Sequence, residues 1–246
     1  MKIAYQTDIG QQRHQNQDRV ATYVDASGHQ LMIVADGIGG NLSGDVAAEM
    51  TVDHLGRQFE VASPTAPLEA IRWFAREVQL INDEILKKSQ TNPEYQEMGT
   101  TMVAAIAFDK ELVVANIGDS RGYLLHDQTF SQVTVDHSLV NELVKSGDIT
   151  AEEAKNYPQS NIITRAIGVS NDAQIEVSRF KIETGDQLLL CSDGLSKMVS
   201  DQEIQSILQL NIAMTEKCHQ LVSKANEAGG PDNITVLIGF KDDQEG

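Results

Sequence analysis

The sequence predicts an α+β fold in which antiparallel sheets carry helices on their outer faces. Strand-like segments fall in adjacent, hairpin-like groups. Helical patterns lie between those groups and do not alternate strand by strand, as a doubly wound fold would require. The 246 residues are 41% apolar, enough to build one large core, and contain no internal repeat or low-complexity linker.

Residues 31–35 are a short apolar run that ends at Asp36-Gly37. Residues 101–108 and 111–117 flank Asp109-Lys110, which reads as a two-residue hairpin turn. Residues 121–126, 187–191 and 234–238 are further strands, the last rich in β-branched residues. Ala48, Val52, Leu55 and Phe59 keep a helical spacing, and Ile71, Phe74, Val78, Ile81 and Ile85 extend the same rhythm over several turns. Shorter helices are expected at 139–146, 150–156, 201–208 and 216–227. Residues 63–67 read as a loop between the two long helices, because Pro64 and Pro67 break the pattern. One domain is expected over residues 1–241, followed by a short polar, frayed tail that begins at Lys241 or Asp242.

Acids outnumber bases 36 to 19, for a net charge of −17. Such a surface repels nucleic acid and anionic lipid, so neither is an expected partner. The acidity serves solubility, and some of the carboxylates are candidates to hold divalent cations. No leader-like apolar stretch opens the chain and no segment approaches the length of a membrane span, so a cytoplasmic, soluble protein is expected. Cys191 and Cys218 lack a metal-binding spacing and read as buried thiols, with a disulfide left open.

Four aspartates stand at the edges of predicted strands: Asp36, Asp119, Asp193 and Asp232. Asp-Gly and Pro-Asp are common turn pairs, so any one of them alone speaks only for a turn. Four together are more informative, since clustered carboxylates need cations to coexist, and hard oxygen ligands favour magnesium or manganese over zinc. Arg13, in Arg13-His14-Gln15-Asn16-Gln17-Asp18, has the planar fork that pairs two phosphate oxygens, although a surface arginine is the simpler reading of that segment alone. Other phosphate chemistries lack support. There is no Walker loop, and the Cys-x5-Arg pattern fails because Lys197 follows Cys191 and Lys224 follows Cys218 at that offset.

The ordered set of segments resembles the metal-dependent protein phosphatases (the PPM, or type 2C, phosphatases) in their bacterial form. The matching pieces are Arg13-x-x-Asn16-Gln17-Asp18, Val34-Ala35-Asp36-Gly37-Ile38-Gly39-Gly40, Gly99-Thr100-Thr101 and Asn116-Ile117-Gly118-Asp119-Ser120-Arg121. They continue with Asn161-Ile162-Ile163-Thr164-Arg165-Ala166-Ile167-Gly168, Cys191-Ser192-Asp193-Gly194-Leu195 and Asp232-Asn233-Ile234-Thr235. Each is weak alone, but they keep the family order and span nearly the whole chain.

The resemblance implies a four-layer αββα sandwich and a serine/threonine protein phosphatase with two Mn2+ or Mg2+ ions. Asp36 would bridge both ions, the Gly37 carbonyl would complete one, and Asp193 and Asp232 would ligate the other. Asp18 would hold metal waters from behind, and Arg13 would bind the substrate phosphate. Asp119, with Asp193, would hold a third, weaker metal. Residues 138–168 would form a mobile flap beside the cleft. A hydroxide bridging the two ions would attack phosphorus in line with the leaving oxygen. Two positions depart from many relatives. Ile38 stands where a proton-donating histidine is common, and Gln17 stands where an acid is common. A metal-held water is therefore expected to protonate the leaving group, with His14 as the lesser alternative. Expected partners are phosphorylated proteins and a cognate, membrane-anchored Ser/Thr kinase, with a stress-regulator protein as an alternative target. The chain is expected to be a monomer. The competing readings are a phosphoprotein-binding module of the same fold without catalysis, and a hydrolase of small phosphate esters.

Overall fold

The structure is a computed structural model that describes residues 1–39, 43–154, 157–159 and 161–242. In chain order its strands are β1 (Lys2–Asp8), β2 (Asp18–Val24), β3 (Gln30–Ile38), β4 (Gly99–Thr100), β5 (Met102–Ala107), β6 (Glu111–Ile117), β7 (Arg121–His126), β8 (Thr129–Gln132), β9 (Glu176–Lys181), β10 (Gln187–Cys191) and β11 (Ile234–Phe240). Its α-helices are α1 (Gly44–Ala62), α2 (Pro67–Thr91), α3 (Leu139–Ser146), α4 (Ala151–Ala154), α5 (Asp193–Ser196), α6 (Asp201–Leu208) and α7 (Met214–Glu227).

Alternation along β3 shows how the layers are stacked. Leu31, Ile33 and Ala35 join a cluster with Phe59, Trp73, Phe74 and Ile81 of α1 and α2. Met32 and Val34 point the other way, into a cluster shared with Leu188 and Leu190 of β10 and Leu237 of β11. A strand with period-two side chains can serve two cores only if both faces are covered. The third cluster lies beyond the other sheet, where Cys191, Val236 and Ile238 meet α6 and α7. The layers therefore run helices, sheet, sheet, helices, the αββα sandwich that the resemblance implied.

One sheet has the order β1-β11-β10-β7-β8 and the other β2-β3-β5-β6-β9, with β4 beside β3. Every pairing is antiparallel. The expected hairpin at Asp109-Lys110 is present. Phe108 N donates to Glu111 O at 2.9 Å, and Ala107 pairs with Leu112. The strands not foreseen are β4 and the four edge strands, β1, β2, β8 and β9, whose residues are mostly half-buried or exposed.

The helices at 139–146 and 201–208 have the expected bounds, and both are capped. Ser138 accepts from Asn141 N, and Ser200 with Glu203 forms a reciprocal capping box. Of the helix expected at 150–156, Ala151–Ala154 is helical, while Lys155 and Asn156 lie outside the described residues. Gly40 of the resemblance motif lies outside them too. Cys191 and Cys218 are both buried and free, so the open question of a disulfide resolves to two thiols. The frayed tail is corrected at its start. Lys241 N donates to Asp186 O at 2.9 Å, Gly185 N donates to Lys241 O at 2.8 Å, and Lys2 pairs with Asp242 at 2.5 Å. These ties hold residues 241 and 242 against the chain just past the end of the last strand, and 243–246 lie outside the described residues. Among the described residues, no helix is long and apolar enough to cross a membrane.

Candidate active site

Strand ends from both sheets converge at one edge of the sandwich. Asp36 lies near the end of β3 and pairs across the ladder with Asp18, the first residue of β2. Asp193 follows β10 and opens α5, and Asp232 precedes β11, the neighbour of β10. Asp119 follows β6. Together they surround a cleft of about 580 Å³ whose lining includes Arg13, Asp36, Gly37, Asp119, Asp193 and Asp232. Asp18, which the resemblance places behind the metal ligands, does not line it and is buried behind the others.

Close backbone approaches hold these ends in place. A Cβ on Gly37 would meet the Gly44 carbonyl at 2.3 Å, and one on Gly194 would meet Asn233 O at 2.0 Å. Glycine at each position lets α1 pack onto β3 and lets α5 pack onto the Asp232 loop. The Asp36 carbonyl accepts from Thr101 N and from Thr100 Oγ1, both at 2.9 Å, which ties the Gly99-Thr100-Thr101 segment to the site. Asn233 knots the N-terminal segment to the Asp232 loop. Its Oδ1 accepts from Gln17 N at 2.8 Å, and its Nδ2 donates to Ile9 O at 2.9 Å and Gln15 O at 3.0 Å.

The acids repel one another. Asp18 is buried between the sheets, with Oδ2 accepting from Ser192 Oγ at 2.7 Å, while Ser192 Oγ also accepts from Thr235 N at 2.9 Å. Burial pushes the Asp18 carboxyl up to about 7, aided by the charges of Asp193 and Asp232 and opposed by hydrogen bonds from Thr235 and Ser192. Burial likewise raises Asp36 well above the usual carboxylate range, reinforced by Asp18, Asp193, Asp119 and Asp232. Asp119 is raised by burial and by Asp193, with Lys197 opposing.

Two cations stand among these acids. Arg13 NH2 donates to Asp232 Oδ2 at 2.7 Å and Arg13 Nε to Pro231 O at 3.2 Å. Lys197 Nζ donates to Asp193 Oδ2 at 2.6 Å and to Asp119 Oδ2 at 2.9 Å. Burial works against the Lys197 ammonium, but the charges of Asp193 and Asp119 outweigh it and raise its pKa.

No three His, Cys, Asp or Glu side chains among the described residues close around a single point at ligand spacing. The donor set nonetheless fits hard divalent ions. Asp193 Oδ1 and Asp18 Oδ1 are buried polar atoms without a hydrogen-bond partner. A buried carboxylate oxygen left bare is costly, and a hard cation satisfies it. Like-charged carboxylates at raised pKa are also the arrangement that a divalent charge relieves.

Ile38 and Gln17, the two departures from the family pattern, both line the cleft. His14 is exposed and does not line it. Asn161 and Ile163, from the 138–168 segment, form part of the wall. That segment is pinned at Ser138 to Ile163 and through Ile167 to Thr100. The sequence reading did not single out Lys197, and it did not recognise the ties made by Ser192 and Asn233. The available signal for Lys197 was its position four residues after Asp193.

A family model described as Protein phosphatase 2C matches residues 9–229. The chain is 41% identical over 239 residues to the serine/threonine phosphatase stp of Listeria welshimeri, covering 97% of this chain and 95% of that protein. It is similar to the solved serine/threonine phosphatase of S. agalactiae, with a TM-score of 0.92 and 38% identity over 96% of this chain and 98% of that one. It is also similar to the catalytic domain of the serine/threonine protein phosphatase PstP in complex with two manganese ions. There the TM-score is 0.85 and the identity 34%, over 98% of each chain.

Proposed function

The chain belongs to the protein phosphatase 2C family, and from that premise we propose that it hydrolyses phosphoserine and phosphothreonine in proteins, using two divalent metal ions held by Asp36, the Gly37 carbonyl, Asp193 and Asp232. The observation that carries the metal reading is the pair of buried, unpartnered oxygens, Asp193 Oδ1 and Asp18 Oδ1, at the meeting point of the two sheets. The manganese-bound relative supports manganese as the ion. Bound there, the two ions would supply a water ionised near neutral pH and would offset charge on the phosphoryl oxygens.

The chain's own residues do the rest. Arg13 sits at the mouth of the cleft, half-exposed, on Asp232. Its guanidinium exchanges that carboxylate for two phosphoryl oxygens, a bidentate contact that positions the ester and stabilises its spreading charge. Asp18, fixed by Ser192, keeps its free oxygen as an acceptor behind the ligands. Ile38 carries no proton to give and excludes water from its part of the wall. Asn161 and Ile163 offer the residues beside the phosphorylated side chain one amide and one apolar contact.

The same reading has the enzyme act as a cytoplasmic monomer against targets of a bacterial Ser/Thr kinase. Comparing the phosphoproteome with and without the gene would name those targets. The reaction is tested by steady-state turnover of a phosphothreonine peptide and of a small aryl phosphate, in manganese and in excess chelator. Manganese-dependent peptide turnover supports the proposal. Turnover confined to the aryl ester would make the chain a small-ester hydrolase.

A further inference from the structure

Lys197 occupies a position in the cleft that the assigned chemistry leaves unused. It caps α5 and lies one helical turn from Asp193, so the two side chains share a face. Asp119 comes to the same point from a different sheet. Its turn is rigid, because Gly118 has φ +103 and a Cβ there would meet the Thr101 side chain at 2.5 Å. The Gly118 N–H also donates to Nδ1 of the buried His137 at 3.1 Å. The backbone that carries Asp119 is therefore held in place, and its carboxylate is bonded by Lys197. Lys197 Nζ then lies within hydrogen-bond distance of Oδ2 of both acids, at 2.9 and 2.6 Å. Asp193 divides its oxygens, with Oδ2 on Lys197 and Oδ1 without a partner.

We infer that Lys197 is a tethered cation that fills the Asp119–Asp193 pair in place of a third divalent ion, so that this enzyme works with two metals and one built-in ammonium. The inference rests on the two-metal reading above. An ammonium and a divalent ion cannot share two carboxylate oxygens, since each would have to lie within bonding distance of the same atoms and they repel one another. The lysine is covalently attached and always present, whereas a loosely held ion comes and goes with its concentration. The ammonium also has three N–H groups, and the two acids use two of them. Lys197 lines both the main cleft and the adjoining hollow beside α3. Lys197 thus acts as a positioning residue that fixes Asp119 and Asp193 and sets the metal count.

The test is a count of bound manganese by calorimetry and by the paramagnetic resonance of free Mn2+, on metal-stripped protein. The wild-type chain should bind two ions, and Asp119→Asn should not change that number. Lys197→Gln should gain a third, weaker site, which a second change, Asp119→Asn, should abolish. Lys197→Arg should stay at two. Three ions in the wild type, falling to two with Asp119→Asn, would overturn the inference, as would a Lys197→Gln protein that folds and still binds two. If Lys197→Gln fails to fold, the wild-type and Asp119→Asn counts decide between the same alternatives. Binding of no manganese by the wild type would overturn the two-metal reading and this inference with it.

Discussion

Gly194 is where a single methyl group tests the geometry of the site. Its backbone is ordinary helix, so alanine is conformationally acceptable there, and any effect must come from collision. The added Cβ would stand 2.0 Å from Asn233 O and 2.9 Å from its carbonyl carbon. A carbon–oxygen contact needs about 3.3 Å, so α5 and the Asp232 loop must part by roughly 1.3 Å. The loop yields poorly, because Asn233 is bonded to Gln17, Ile9 and Gln15. Metal–ligand distances tolerate about ±0.2 Å, so this displacement separates Asp193 from Asp232 far beyond what one ion can span. Overpacking of this kind costs about 1–3 kcal/mol of stability. Gly194→Ala should therefore unfold at lower urea when metal-free, by about that amount, and should bind manganese at least tenfold more weakly, the low end of the loss seen when ligand orientation is disturbed. Urea melts read the first and calorimetry the second. Wild-type manganese affinity in Gly194→Ala would refute the claim that this close approach positions the two ligands.

The remaining predictions concern the groups around that pair. Ser192→Ala removes the donor to Asp18 Oδ2 and the acceptor of Thr235 N–H, and should cost about 1–3 kcal/mol for the buried groups left bare, read from urea melts at neutral pH. Arg13→Ala should lower kcat/KM on a phosphopeptide by about 1.5–3 kcal/mol, roughly 10- to 160-fold, and Arg13→Lys should recover little because it lacks the planar fork. Unchanged kinetics in both would remove Arg13 from the site. Metal-free protein should lose stability as pH rises. Asp18 is raised from 3.8 to about 7 in the folded chain, so its contribution is full below pH 3.8 and is lost as pH climbs through 7. Asp36 and Asp119 shift in the same direction. Manganese should therefore raise Tm more at pH 7.5 than at pH 5, and an equal rise at both would contradict the charge crowding.

The inner strands were legible because they are buried on both faces. β3, β5, β6, β10 and β11 read as apolar runs, and all five proved to be central. The four edge strands went unread because one face meets water and residues such as Gln6, Thr22 and Arg179 interrupt the run. The site was legible as strand-end aspartates because a turn after a buried strand leaves a short, recognisable pattern. Those patterns gave no distances, and the ties that create the site are tertiary. Asn233 bonds to residues more than two hundred positions away, and Ser192 reaches Asp18 across the sandwich. Lys197 escaped notice because α5 has only four residues, too few for periodicity to mark Asp193 and Lys197 as one face.

The central claim is that Asp36 and its neighbouring carboxylates hold metal ions that catalysis requires. The most direct test follows phosphothreonine-peptide turnover by metal-stripped wild-type protein, with removal verified by elemental analysis, beside Asp36→Asn protein whose melting transition shows that it is folded. The wild type should be inactive in chelator and regain turnover as manganese is restored, while Asp36→Asn stays inactive at every manganese concentration. Full turnover by the stripped wild type in excess chelator, or by Asp36→Asn, would contradict the account.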